Sequence, residues 1–420
     1  MPDLLGNNSV VLGDQEFSWD TLLEAFNQSA TRAVLERAAQ PVAVVVDGAA
    51  EAFGVVAGLA ATGGDALLLG RERLSEGVRA LLETRGFALC DYATGNLTPA
   101  AQPAPAVPGR VSLLTSGSTG TPKLVPHRWE TLFTGRDLRS ASPRRWLVPY
   151  QTGTYAWYQL ITLGMFLPGQ TLVVAGSDDL ETIFAQAARH AVDSISATPT
   201  FWRLACLRLP ESLLRSVRLT TITLGGEMAD QSILDRLAAL FPGAQVTHIY
   251  ASTEAGVCAV VKDGRAGFPS AWLDREQPGS PALRIEDGRL WVRSPHAAGG
   301  AGEWLDSGDR VEARGDRVHF VGRADSALIN VGGSKAYPAD IEAVLLAHPA
   351  VRWCRVRAVR SPLVGWLPEA DVVCDPRADA VPDEVELTRF CAARLPEYAV
   401  PRFWNHLATI PVQGSLKSAL

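Results

Sequence analysis

The hydrophobic pattern changes period repeatedly along the first hundred residues. Leu22 to Glu36 carries apolar positions at helical spacing, Pro41 to Val46 is a short apolar run, and Glu51 to Ala61 reads as a small-residue helix. Ala66 to Leu69 predicts a second buried strand and Glu76 to Thr84 a third helix. Helices alternating with short apolar strands predict an α/β layer with parallel pairing. Asn96 to Arg110, rich in Pro and Ala and without periodicity, is expected to be a linker or surface loop.

The alternation then resumes, with strands expected near 171–175, 193–196, 220–224 and 246–250. After 285 the pattern turns to short β segments at Leu290–Arg293, Arg310–Ala313 and Val318–Val321. Beyond about 325 a compact mixed piece is predicted: helix 338–347, strands 351–359 and 370–374, and helix 383–394. The fold class is therefore α/β, a large N-terminal α/β domain of several subdomains followed by a small α+β C-terminal domain.

Composition narrows the function. With 420 residues, 47% hydrophobic and 20% charged, the chain can bury a sizeable core and is not disordered. Thirty-nine basic against 45 acidic residues give a formal charge of −6, which argues against non-specific nucleic-acid binding. Six widely spaced cysteines without a CxxC pair suit reduced thiols in a cytoplasmic protein. Trp146 to Gly176 has no charged residue, but Pro149, Gln151, Gly153, Gln159, Pro168 and Gln170 interrupt it, so a buried helix and strand are expected and no membrane partner. The N-terminus has no signal-peptide pattern.

The strongest local signal is Leu114 to Lys123, LTSGSTGTPK. Glycines let a backbone fold tightly around an anion, hydroxyls and amides donate hydrogen bonds, and Lys123 adds a point charge. The GxxxxGK[ST] phosphate loop is absent, and no G-x-S-x-G elbow surrounds Ser116 or Ser118, so neither that nucleotide-binding class nor a serine hydrolase is supported. Alone, the stretch is equally readable as a Ser/Gly surface loop; ordered motifs downstream decide against that.

LTSGSTGTPK resembles the phosphate-binding signature of the adenylate-forming superfamily of acyl-CoA synthetases, aryl acid ligases and adenylation domains. The family's other motifs have counterparts in order: Tyr250-Ala251-Ser252-Thr253-Glu254, Ser307-Gly308-Asp309, Gly322-Arg323-Ala324-Asp325, Val331-Gly332-Gly333-Ser334-Lys335 and Leu395-Pro396-Glu397-Tyr398-Ala399-Val400-Pro401. The resemblance spans roughly 110–420. It implies an N-terminal ATP- and acid-binding domain over 1–322, a hinge at 323–327 turning about Asp325, and a mobile C-terminal domain over 328–420.

It also implies residue roles. Thr115, Ser116, Ser118, Thr119 and Lys123 would hold the phosphates of ATP, and Thr253 the α-phosphate. Glu254 would bind Mg²⁺, a hard cation that prefers carboxylate oxygen. Asp309 would accept from the ribose hydroxyls, Arg323 would add a positive contact, and Tyr250, Ala251, Ser252, Gly225, Gly226 and Glu227 would line the nucleotide and acyl pocket. Tyr150, Thr152, Tyr155, Trp157 and Phe201 would line the acid pocket, favouring an aryl or short planar acid over a long alkyl chain. Lys417, six residues after Pro411, would neutralise charge between the carboxylate and the α-phosphate, although Leu416 stands where the family has glycine. Gly332 and Gly333 would face the acceptor thiol.

The implied activity is formation of an acyl adenylate, then transfer to coenzyme A or to the phosphopantetheine of an acyl carrier protein in trans. Transfer to an amine, hydroxyl or second acid, and a degenerate ATP-binding protein, stay open. Two departures bear on this: the N-terminal subdomain is expected to be shortened, and Thr152 stands where many members carry histidine.

A strand over 351–359 would place Arg355 and Arg357 on one face, either solvated or meeting the phosphates of the acceptor.

Overall fold

Val42–Val46 and Ala66–Gly70 are buried at every position, and they pair in parallel at the centre of a six-stranded sheet. Its order is Leu97–Thr98, Ala88–Asp91, Val42–Val46, Ala66–Gly70, Arg110–Ser116, Pro122–Arg128. The computed structural model of the chain describes residues 7–116, 122–135, 142–300, 302–323, 328–361, 365–378, 380–413 and 417–418. An eight-stranded sheet runs Gly256–Val261, Gln245–Ser252, Thr221–Leu224, Ser194–Ala197, Arg144–Leu147, Gln170–Val174, Ser9–Leu12, Gln15–Ser18. Its pairings are parallel except at the two outer strands.

One core unites the two sheets. Side chains from Val42–Val46 and Leu172 pack with helices Trp19–Gln28, Ala49–Thr62 and Tyr155–Phe166. A second core covers the other face of the eight-stranded sheet, where Ile195, Ala197, Ile222, Leu224 and Val246 meet helices Leu180–Arg189, Pro199–Arg208 and Gln231–Leu240. Strand alternation therefore turns Ser196, Thr221, Thr223 and Thr247 to the opposite, polar face.

One sequence expectation changes and a second is narrowed. Leu22–Glu36 is not one helix but two, Trp19–Gln28 and Ala30–Arg37. Ser29 sits extended between them, its hydroxyl donating to Phe26 O at 2.7 Å and accepting from Arg32 N at 3.4 Å, and a serine cap stops one helix as it starts the next. Of the two readings of residues 96–110, linker or surface loop, the surface loop holds, with Leu97–Thr98 paired as an edge strand. Ala104 N donates to Gly86 O and Ala106 N to Ala39 O, and Asp65 receives Val107 N at 2.7 Å and Arg110 Nη2 at 2.6 Å. These bonds go to other loops, so no periodicity announces them.

The uncharged stretch forms the end of one strand, helix Tyr155–Phe166 and strand Gln170–Val174. Among the described residues no helix is long and apolar enough to cross a membrane. A five-stranded antiparallel sheet follows, from Phe268–Pro269 to Arg317–Arg323.

The C-terminal part is a sheet of Ser334–Ala336, Ile329–Val331, Gly365–Cys374, Val351–Ser361 and Phe403–His406, covered by helices Pro338–Leu346 and Glu384–Ala392. It docks on helix Pro199–Arg208: Arg203 Nη1 donates to Arg352 O at 2.9 Å, and Trp353 and Val373 enter the second core. Arg355 and Arg357 do share a face, but Asp371 and Glu369 meet their charges across the sheet. At the end of the chain Lys417–Ser418 pairs with Val412–Gln413 and lies beside helix Pro199–Arg208.

Candidate active site

Strands Arg110–Ser116 and Pro122–Arg128 are antiparallel, with Thr115 opposite Lys123 and Ser116 opposite Pro122. The two described ends of the motif Leu114 to Lys123 are thus paired, and Thr115 and Lys123 stand at this neck on the wall of a cavity of about 1270 Å³. Ser118 and Thr119 lie outside the described residues.

The next wall is the end of the Gln245–Ser252 strand. Its register shifts after Tyr250, bringing Ala251, Ser252, Thr253 and Glu254 to the cavity before the chain reverses into Gly256–Val261. Only glycine suits the reversal: Gly256 has φ +75°, and a Cβ there would stand 2.6 Å from that of His296. Glu254 is the sole carboxylate on the cavity wall among the described residues, and its exposed oxygens suit a hard divalent cation shared with phosphates.

His127 fixes this turn, a role that motif reading missed. Its Nε2 lies 2.7 Å from Thr253 O and its Nδ1 2.9 Å from Thr131 Oγ1. A carbonyl only accepts, so Nε2–H donates to it and, in the neutral ring, Nδ1 accepts from the hydroxyl. Burial drives the His127 pKa down to about 4. In the unfolded chain a histidine takes its proton near 6.5, so its contribution to stability is complete above that pH and is lost as pH falls towards 4. The loss is on the order of 3 kcal/mol. His127→Phe should flatten the pH dependence of the melting temperature between pH 6.5 and 4; an unchanged slope would show that other groups carry it.

Asp309 belongs to strand Leu305–Arg314, opposite Arg323 on the next strand. Tyr250 Oη donates to Asp309 Oδ2 at 2.5 Å, and Arg323 Nη1 reaches Asp309 Oδ1 at 3.0 Å and Ser307 O at 3.2 Å. Burial and the Asp309 charge raise the Tyr250 phenol far above its ordinary pKa. Gly225 and Gly226 line the cavity, whereas Glu227 turns away, its Oε2 accepting from Thr200 N at 3.0 Å at the start of helix Pro199–Arg208.

Beyond this end the cavity continues along the polar face of the eight-stranded sheet. Tyr150 and Tyr155 line it with Ser196, Thr221, Thr223 and Thr247, and Tyr150 Oη meets Ser196 Oγ at 3.2 Å. Trp157 and Phe201 stand in the cores instead, Trp157 edge-on to Phe53 and Phe201 stacked on Phe184. Helical spacing alone cannot say which aromatic of such a cluster points inward. Thr152 contributes its carbonyl, which accepts from Arg73 Nη1. Arg73 itself lines the cavity and carried no motif signal. Among the described residues the walls bear five cationic side chains, Arg73, Lys123, Arg144, Lys262 and Arg323, against the one carboxylate of Glu254, a balance that favours a polyanionic ligand.

Asp325 lies outside the described residues. Gly332 and Gly333 form the tip of the hairpin between Ile329–Val331 and Ser334–Ala336, with Gly333 N bonded to Asn330 Oδ1. Lys417 is placed through its backbone only, in the terminal strand pair.

Residues 16–300 match the AMP-binding enzyme family, and residues 340–417 its C-terminal domain. The chain belongs to the AMP-binding enzymes. Among curated members it is 29% identical over 337 residues to a 2-succinylbenzoate–CoA ligase of Bacillus licheniformis, covering 73% of this chain and 67% of that protein. A feruloyl-CoA synthase of Amycolatopsis sp is 28% identical over 336 residues, with the same coverage. The match thus spans about two thirds of these relatives' length. An anthranilate CoA ligase in complex with anthranoyl-AMP shares the fold, with a TM-score of 0.75 and 17% identity over 99% of this chain and 93% of that one.

Proposed function

We propose that this AMP-binding enzyme activates a carboxylic acid with ATP as an acyl adenylate and passes the acyl group to a thiol. The observation that carries the reading is the continuity of the cavity. Its phosphate-loop neck and Arg323, which pairs with Asp309, stand on the same wall as a tyrosine- and hydroxyl-lined extension, so nucleotide and acid meet in one cavity. In the first step a carboxylate oxygen bonds to the α-phosphorus as the bond to the β-phosphate bridging oxygen breaks, and pyrophosphate leaves. Thr115 and Lys123 hold the leaving phosphates, with Ser116, Ser118 and Thr119 of the same loop. Thr253 contacts the α-phosphate, Asp309 accepts from the ribose, and Arg323 supports Asp309. Mg²⁺, held by Glu254 with phosphate oxygens, would offset the negative charge of the triphosphate. Positioning and charge neutralisation supply most of the acceleration in such chemistry.

The curated relatives are named as CoA ligases of aryl acids, which supports coenzyme A as the acceptor; an acyl carrier protein in trans would offer the same thiol. Transfer would follow a swing of the C-terminal domain about Asp325 that brings Gly332 and Gly333 to the site. A cytoplasmic setting is supported by the six cysteines, all free and five of them buried.

Tyr150, Tyr155 and the hydroxyl floor favour a short, planar acid with polar ring substituents, because an alkyl chain would leave those hydroxyls without partners. Benzoate, cinnamate and ferulate should outcompete fatty acids of ten or more carbons in a pyrophosphate-release assay with ATP and Mg²⁺. Best turnover with a long-chain acid would overturn the substrate class, and no release with any acid would overturn the activity.

A further inference from the structure

Arg73 follows the buried Ala66–Gly70 strand and ends at the cavity wall. Its Nη1 donates to Thr152 O at 2.9 Å and its Nη2 to Leu114 O at 3.0 Å. Leu114 immediately precedes Thr115 at the phosphate-loop neck, and Thr152 lies in the turn between Tyr150 and Tyr155 on the acid wall. The guanidinium is therefore pinned where the two halves of the cavity join. Gly153 makes that turn possible: with φ +75° it lies so close to Leu68 that a Cβ would meet its carbonyl oxygen at 2.3 Å. The position of the Thr152 carbonyl, and with it Arg73, is set by the backbone.

Two of the five guanidinium N–H groups are used by these carbonyls, and three remain. Carbonyl dipoles satisfy hydrogen bonds but do not neutralise a charge. Among the described residues no carboxylate lies within 4.0 Å of Arg73. Its neighbour Glu72 acts on it from further away and accepts from Gln151 Nε2 at 3.1 Å. The other ionisable group acting on it, the buried Tyr158 phenol, is held protonated by burial. Burial disfavours the charged form of Arg73, as expected for a cation withdrawn from water without a counter-ion. The other described wall cations differ: Lys123 and Lys262 are exposed, Arg323 is paired with Asp309, and Arg144 is bonded to hydroxyls at the far end.

We propose that Arg73 is the fixed cation of adenylate formation, meeting the negative charge where the carboxylate approaches the α-phosphate. The proposal rests on the activity proposed above. Arg73 would act twice, holding the phosphate-loop strand to the acid wall through the two carbonyls and offering its remaining donors to the anions.

The test compares R73K, which keeps the charge, with R73Q, which keeps a donor without it. Pyrophosphate release is measured at saturating ATP and saturating acid, using whichever of benzoate, cinnamate and ferulate the wild type turns over fastest. R73K should stay within about tenfold of wild type, while R73Q should fall about a hundredfold in kcat with little change in the KM for ATP, the scale for loss of one preorganised electrostatic contact at developing charge. Their melting temperatures should fall alike, since both weaken the carbonyl clamp. If R73Q does not fold, R73H serves: its rate should rise as pH falls from 8 to 5.5, where the imidazole gains charge, relative to wild type. Equal rates for R73K and R73Q, or an R73H profile parallel to wild type, would leave Arg73 a structural clamp only. A wild-type protein that released no pyrophosphate with any acid would sink the activity reading and Arg73 with it.

Discussion

Asp309→Ala is expected to weaken AMP binding on the order of a hundredfold, measured by calorimetry on folded protein. The carboxylate is 14% exposed and held on both oxygens, by Tyr250 at 2.5 Å and Arg323 at 3.0 Å. Its position is thus fixed before any nucleotide arrives, and its remaining lone pairs can accept from both hydroxyls of a ribose without reorganisation. A hydrogen bond to a charged group contributes about 1.5–3 kcal/mol, so losing two with their shared acceptor costs about 3 kcal/mol at the low end of that range, on the order of a hundredfold. The substitution also leaves the buried Tyr250 hydroxyl without the carboxylate that takes its proton. Asp309→Asn keeps an acceptor for Tyr250 but not the charge, so its affinity should fall between the two. If Asp309→Ala bound AMP as tightly as the wild type, the carboxylate would serve only to tie Tyr250 to Arg323.

How much of this site could be read from the chain depends on how each residue reaches it. Thr115, Lys123, Thr253 and Glu254 sit at the ends of strands or in the turns between them, and Asp309 lies within strand Leu305–Arg314 opposite the last described residue of the next strand, where short motifs fix backbone and side chain together. Fold class was legible for the same reason: Val42–Val46 and Ala66–Gly70 are apolar at every position because both faces are covered. Arg73 and His127 were not legible. Each reaches the site through bonds to carbonyls, at Thr152 and Leu114 or at Thr253, that are distant in sequence, and a carbonyl has no residue type to recognise. The aromatic cluster was half legible. Tyr150 and Tyr155 reach the cavity, but Trp157 follows Tyr155 by two residues, which in a helix turns it onto another face and into the core. Glu227 shows the converse, since a carboxylate beside two cavity glycines was taken up by the N-terminus of a neighbouring helix.

Lys417→Ala is expected to slow adenylate formation by a factor of about 10²–10³, the usual result of removing one preorganised donor from a site of developing charge. The backbone at 417–418 is tied to Val412–Gln413 and lies beside helix Pro199–Arg208, whose first turn receives the Glu227 carboxylate next to the cavity glycines Gly225 and Gly226. The tail thus has main-chain partners of its own. Lys417→Ala leaves those partners intact, whereas deleting 417–420 removes one strand of the pair, so the point variant isolates the side chain. Transfer from a chemically supplied acyl adenylate should be spared in both, because that step would use the rotated C-terminal domain and no longer need the lysine. Arg73 makes the result more informative. If both cations act on the same charge, Lys417→Ala combined with R73Q should cost less than the product of the single effects, since groups serving one charge are not additive. A product equal to the two single effects would place them on different charges. Full adenylation by Lys417→Ala alone would show that the tail lysine is dispensable and that a cation fixed in the N-terminal walls, Arg73 or Lys123, performs the neutralisation.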